Sequence, residues 1–149
     1  MTEDKPRFTD NGNGTITDNL TELMWAKEDS WQMEARWVSW DEAREYTRSM
    51  AYQKLAGYND WRLPELEELL TLVDPDHSIQ DKYGKDLKMN PVFSHGPLAT
   101  AWTSDGIGQD GYIVNFITGE SDTLYKSKSG RMAVRTVRGT PMSERPSQR

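Results

Sequence analysis

Asp60-Trp61-Arg62-Leu63-Pro64 and the run that follows to Val73 constrain this chain more than any other stretch. Leu66, Leu69, Leu70 and Val73 fall at i, i+3, i+4 and i+7, the spacing of one helical face, and predict a helix from about 65 to 73. Pro64 suits the start of such a helix, because a first-turn residue has no intrahelical partner for its N–H. Glu65, Glu67 and Glu68 place negative charge at the positive end of the helix dipole. A bulky aromatic and an arginine therefore stand just ahead of a helix that must pack on something large. Asp60, Trp61 and Arg62 are expected to lock a loop onto the core, with Asp60 pairing or capping. The competing reading is a ligand site, since Trp stacks on sugars and Arg forks onto carboxylate or sulfate. By the same reasoning Trp40, Trp102 and Arg135 are expected to fill and brace the fold.

At 149 residues the chain is most simply one domain with a real core. Its mean hydropathy of -0.85 would suggest disorder, but six Trp, six Tyr and three Phe supply buriable area. The expected layout is a loose lead over 1–6, one domain over 7–139 and a loose basic tail over 140–149. The net charge of -6 argues against a general nucleic-acid binder. That charge is uneven: residues 126–149 hold seven basic residues and one acid, a local +6 that leaves -12 elsewhere. There is no cysteine, which excludes disulfides, thiol chemistry and cysteine–zinc sites. No apolar run reaches the roughly 18 residues of a membrane span, so no membrane insertion is expected. Met1-Thr-Glu-Asp-Lys-Pro lacks an apolar signal core, which points to the cytoplasm if Met1 is the native start.

Along the chain, Asp10-Asn11-Gly12-Asn13-Gly14 lies between β-formers and predicts a hairpin, because Asn and Gly reach positive φ cheaply. The same segment admits a calcium reading through Asp10, Asn11 and Asn13, although Thr9 and Leu20 stand where an EF-hand loop has its key carboxylates. Leu20–Trp25 reads as a short strand, and Glu28–Trp37 as loop. Ser39-Trp40-Asp41-Glu42 is a capping box that opens a helix with Trp40, Ala43, Tyr46 and Met50 on one face. Asp74–Ser94 reads as a long polar loop, and Asp74, Asp76, Asp81 and His77 are of metal-binding type without helical spacing to support a site. Ala99–Ser104, Tyr112–Ile117, Asp122–Lys126 and Met132–Arg138 read as strands. A hairpin, two helices and then several antiparallel strands define an α+β domain rather than alternating βαβ units.

These pieces together resemble one family. Phe8, the Asp10–Asn19 segment, Leu23-Met24-Trp25, Trp40–Ala43, Gly57–Pro64, Glu67-Glu68-Leu69, Trp102-Thr103-Ser104, Val114-Asn115-Phe116 and Val134–Gly139 match the C-terminal domain of the Legionella collagen-like proteins. The resemblance covers roughly residues 7–139. It implies a C-type-lectin-like fold akin to the formylglycine-generating enzyme: paired N- and C-terminal strands, two helices flanking a mainly antiparallel sheet, and ligand-bearing loops. The family often has Cys where this chain has Thr47 and Thr136. Losing both together is what a vanished disulfide leaves, as in a protein that matures in a reducing compartment or is stable without the bridge. The formylglycine-generating relatives work through cysteines and copper, so that activity is not carried over.

The resemblance implies a non-enzymatic binding or adhesion module for a glycan or a protein, and its collagen-like members suggest sulfated glycans. Candidate ligand residues are Trp31, Trp37, Asp105, Asp110, Lys126, Lys128 and Arg131. No cofactor is expected beyond the calcium reading. The alternatives are a structural subunit of a surface or phage-like assembly and a metal-dependent enzyme using Asp and His.

Overall fold

The computed structural model describes residues 6–146. Ten short strands and three helices appear in the order β1 (Phe8–Asp10), β2 (Thr15–Asp18), β3 (Leu23–Ala26), α1 (Ser30–Glu34), α2 (Trp40–Tyr52), α3 (Leu66–Leu70), β4 (Ile79–Gln80), β5 (Asp86–Leu87), β6 (Thr100–Ile107), β7 (Asp110–Asn115), β8 (Glu120–Tyr125), β9 (Met132–Ala133) and β10 (Val137–Arg138). The chain is an α+β protein of mostly antiparallel sheets, as expected.

The Asn-Gly turn makes the predicted hairpin. Gly12 and Gly14 take φ of +76° and +88°, and Asp10 Oδ1 accepts from the Gly12 N–H while Asn13 Oδ1 accepts from the Thr15 N–H. β1 therefore pairs with β2, and a second tight turn pairs β2 with β3. Both edges of β2 are then occupied. The returning β10 adds to the free edge of β3, with Val137 opposite Trp25, so the sheet order is β1-β2-β3-β10. The first and last strands share a sheet but do not pair directly, which corrects the expectation that they do.

The second sheet runs β8-β7-β6-β9, with β9 parallel to β6 and the remaining pairs antiparallel. Successive β-residues point to opposite faces, so Ala101 and Val114 face one core while Trp102 and Ile113 face another. The first core joins the β1–β3 sheet, α3 and β4–β5 through Ile16, Trp25, Leu69, Leu72, Leu87 and Phe93. The second lies under α2 and takes Ala43, Tyr46 and Met50 from the predicted face, together with Trp61 and Met132. Gly111 is needed where these layers meet: a Cβ there would stand 2.8 Å from the Trp102 ring.

Several expectations need correction. Glu28–Trp37 holds the one-and-a-half-turn α1, capped by Asp29 and Gln32 in a capping box. The predicted 65–73 helix is α-helical only over Leu66–Leu70, and Leu72, off the predicted stripe, is more deeply buried than Leu70. The polar Asp74–Ser94 loop carries the β4–β5 hairpin and four buried apolar residues, Ile79, Leu87, Met89 and Phe93. Residues 140–146 were expected to be loose. Instead Met142 packs on the first core, its N–H donates to Glu68, and Ser143 bonds Glu65. Residues 1–5 of the expected lead and 147–149 of the tail lie outside the described residues.

Candidate functional site

The residues nominated as structural are all engaged. Trp61 is buried, its Nε1 donates to the Leu55 carbonyl at 2.9 Å, and its ring meets Tyr58 edge-on. Asp60 accepts two hydrogen bonds from Arg138, and Arg62 forks onto both Glu68 oxygens at 2.8 Å. The Arg62 backbone exchanges hydrogen bonds with Val137, which stitches the Asp60–Pro64 loop to β10. Trp102 donates to the Val38 carbonyl. Trp40 donates to the Thr103 carbonyl, with Arg44 and Lys126 over its ring. Arg135 is buried, donates to the carbonyls of Ala26 and Lys27, and stacks on Phe93. Burial lowers its pKa, an effect opposed by the nearby Asp29 charge.

The atoms of the calcium reading are occupied by the turn and its neighbours. Asp10 Oδ2 accepts from the Lys27 ammonium at 2.8 Å, and Asn11 Nδ2 donates to the hydroxyls of Thr15 and Thr17. The Lys27 contact, followed by the Gly12 amide, holds the Asp10 carboxyl below its usual range. His77 is 2.8 Å from Asp74, and no group of three or more metal-ligating side chains occurs among the described residues.

The structure divides the ligand candidates. Asp105 accepts from the Leu66 N–H at 2.7 Å and so caps α3. Asp110 begins β7 at the tip of the β6–β7 hairpin, where Lys126 donates to the Gly108 carbonyl. Trp37 and Lys128 are exposed, with no side-chain hydrogen bond or ion pair among the described residues. Trp31 and Arg131 are brought to one loop, residues 81–85 between β4 and β5. The sequence alone shows this loop only as part of the polar Asp74–Ser94 stretch, because nothing local marks Trp31 and Arg131 as its neighbours.

Asp81 builds the loop. It is buried, and its Oδ1 accepts from the amides of Tyr83 and Lys85, both at 2.8 Å. Its own N–H donates to the Lys85 carbonyl. An Asp with Gly three residues on was the available cue, since a carboxylate accepting successive amides makes such turns. The fixed turn presents two aromatic–cation pairs: the Lys82 ammonium lies 5.1 Å from the Trp31 ring centroid, and the Arg131 guanidinium 4.8 Å from that of Tyr83. Tyr83, Lys85 and Arg131, together with Asp81, Leu98, Ala99, Thr100, Asn115 and Ile117, line a cleft of about 230 Å³. Lys82, Lys85, Arg131 and the Tyr83 ring are all exposed. The arrangement offers aromatic faces beside cations that can bind a planar or anionic group.

The fold and this cleft define an α+β domain of short antiparallel sheets that carries an aromatic-and-cation loop on its surface. A search of curated proteins found no match. The chain belongs to the Lcl C-terminal domain family, whose model matches residues 14–138.

Proposed function

We propose that this chain is a non-enzymatic, C-type-lectin-like binding module and that the Tyr83–Arg131 cleft takes an anionic glycan. The observation that carries the reading is the Arg131 guanidinium over the Tyr83 ring at the cleft, with Lys85 lining it as well and a second pair, Lys82 over Trp31, on the same loop outside it. A sugar ring can lie on an aromatic face while a sulfate or carboxylate meets the guanidinium or ammonium beside it. The return of β10 to the sheet built by β1–β3 supports the lectin-like comparison. Anionic sugars are also the ligands that the family resemblance suggests.

Heparin chromatography at low salt tests it. The wild type should be retained, and the double substitution Lys85→Ala with Arg131→Ala should elute at clearly lower salt, because exposed charges act through a screened field. Flow-through of folded wild-type protein removes the reading. A sulfated-glycan array then identifies the sugar. A second reading, a structural subunit of a surface or phage-like assembly, draws on β8: among the described residues its outer edge is unpaired, and its last residue, Tyr125, is exposed. Light scattering of the purified chain separates the two, since edge pairing predicts concentration-dependent association.

A further inference from the structure

A second cleft, of about 430 Å³, opens elsewhere on the surface, between the Asn13-Gly14 turn, the segment from Ala26 to Met33 near the end of α1, and the middle of α2. Met33, Leu55 and Ala26 supply its apolar wall, and Glu28, Tyr46 and Ser94 its polar groups. Tyr46 is 3% exposed, lines this cleft, and has no hydrogen bond to its hydroxyl among the described residues. Its hydroxyl keeps access to solvent, since the sealed unpartnered side-chain atoms among the described residues are those of Thr21, Trp25 and Thr136, so a polar group of a ligand entering the cleft can reach it.

The charges around the cleft specify the ligand. The Lys27 ammonium is paired with Asp10, and Glu34 with Arg36. Arg135 lies in the core nearby, its charge opposed by Asp29 first and also by Glu28, and the two oxygens of Asp29 accept from the amides of Gln32 and Leu98. Glu28 makes no ion pair or hydrogen bond among the described residues, and against the single Arg135 cation stand two carboxylates, Asp29 and Glu28, the second at the mouth of a partly apolar cleft. An anion is disfavoured there, whereas an ammonium group gains a charge-assisted hydrogen bond. Burial first, and then the charges of Glu34 and Asp29, push the Tyr46 phenol up, so it stays neutral and its oxygen can accept.

We infer that this cleft is a binding site for a small organic ammonium ion with an apolar body. Glu28 and Tyr46 receive the ammonium, and the Met33–Leu55 wall covers the body. The inference does not depend on the glycan reading, which concerns the other cleft.

The test uses the full chain, 15N-labelled, titrated with phenethylammonium at pH 7 and followed by amide chemical shifts. Saturable shifts are expected at residues 27–33, 46 and 55, with half-saturation of about 1–10 mM for so small a ligand. The oppositely charged 3-phenylpropionate, of similar size, should give none. Glu28→Gln, a near-isosteric change at a half-exposed site, should weaken binding about 10-fold or more, and Tyr46→Phe about 3- to 10-fold. The inference is overturned if wild-type shifts are absent or unsaturable, if 3-phenylpropionate binds as well, or if Glu28→Gln binds undiminished. The comparison of the two ligands on wild-type protein stands even if a variant folds poorly.

Discussion

Trp61 and Arg62 fasten the same loop by different physics. Trp61 fills the core beneath α2 and satisfies its single donor on Leu55, whereas Arg62 joins the loop to Glu68 and to the backbone of Val137 and Gly139. Trp61→Ala should therefore destabilise by about 3–5 kcal/mol in urea unfolding, through lost burial and the cavity left behind. A variant with unchanged stability but lost ligand binding would reassign Trp61 to a site. Thr136 presents the opposite case. It is buried, its hydroxyl has no partner among the described residues, and a γ-methyl would occupy the same space. Thr136→Val should be neutral or stabilising by about 1 kcal/mol, measured by thermal melting, because an unmade hydrogen bond is removed and none is broken. The roles of Asp60, Trp61 and Arg62 were legible because Trp and Arg ahead of a periodic helix have few places to go. The burial of Glu68 was not, because a glutamate in a first helical turn ordinarily faces water, and its partners Arg62 and the Met142 amide, distant or unrecognised in sequence, explain why this one is fully covered.

Among the elements, α2 is the one whose sequence pattern and structure coincide most closely, with Ser39 and Glu42 closing the predicted box and Ala43, Tyr46 and Met50 buried. The helix after Pro64 is less regular. Once α3 ends at Leu70, the next residues continue in tighter turns, with the Thr71, Leu72 and Val73 amides donating three residues back. Tightening rotates Leu72 inward and leaves Leu70 at the margin. Leu72→Ala should cost about 2–5 kcal/mol and Leu70→Ala distinctly less, an ordering opposite to the one a regular helix to Val73 predicts. Equal costs would restore the regular helix. The β4–β5 hairpin was missed for a related reason. Strands of two residues are too short to alternate visibly, and Ile79 and Leu87 are separated by seven polar or small residues that mask their pairing. In the same way, α1 was hidden by its length, although Asp29 and Gln32 hold the spacing of a capping box.

For the molecule as a whole, buried and half-buried ion pairs tie stability to pH. Burial raises the Glu68 pKa, but the Arg62 guanidinium and the amides of Glu65 and Met142 outweigh it and hold the group below its ordinary 4.5. A carboxylate with a depressed folded pKa stabilises the fold fully above its unfolded value and loses that contribution as pH falls through the lower folded value. Asp18, held by Arg7, acts in the same direction. Asp29 acts in the opposite one, since burial raises its pKa and protonation on acidification relieves that penalty. The contribution of Glu68 to the urea midpoint should accordingly be complete above about pH 4.5 and be lost below it, so Glu68→Gln should start lower and fall less steeply on acidification. An identical acid response in the variant would remove Glu68 as a source.

The place of β10 beside β3 also bears on synthesis. Val137 and Arg138 complete a sheet whose other members lie at residues 8–26, so the edge of Trp25 stays open while more than a hundred intervening residues leave the ribosome. Pairing across so long a loop is slow, because closure entropy must be overcome before the contact rewards it. Until then the nascent chain carries an unclosed strand edge above an aromatic core, and a chaperone that shields the β2–β3 hairpin would be most useful in that interval.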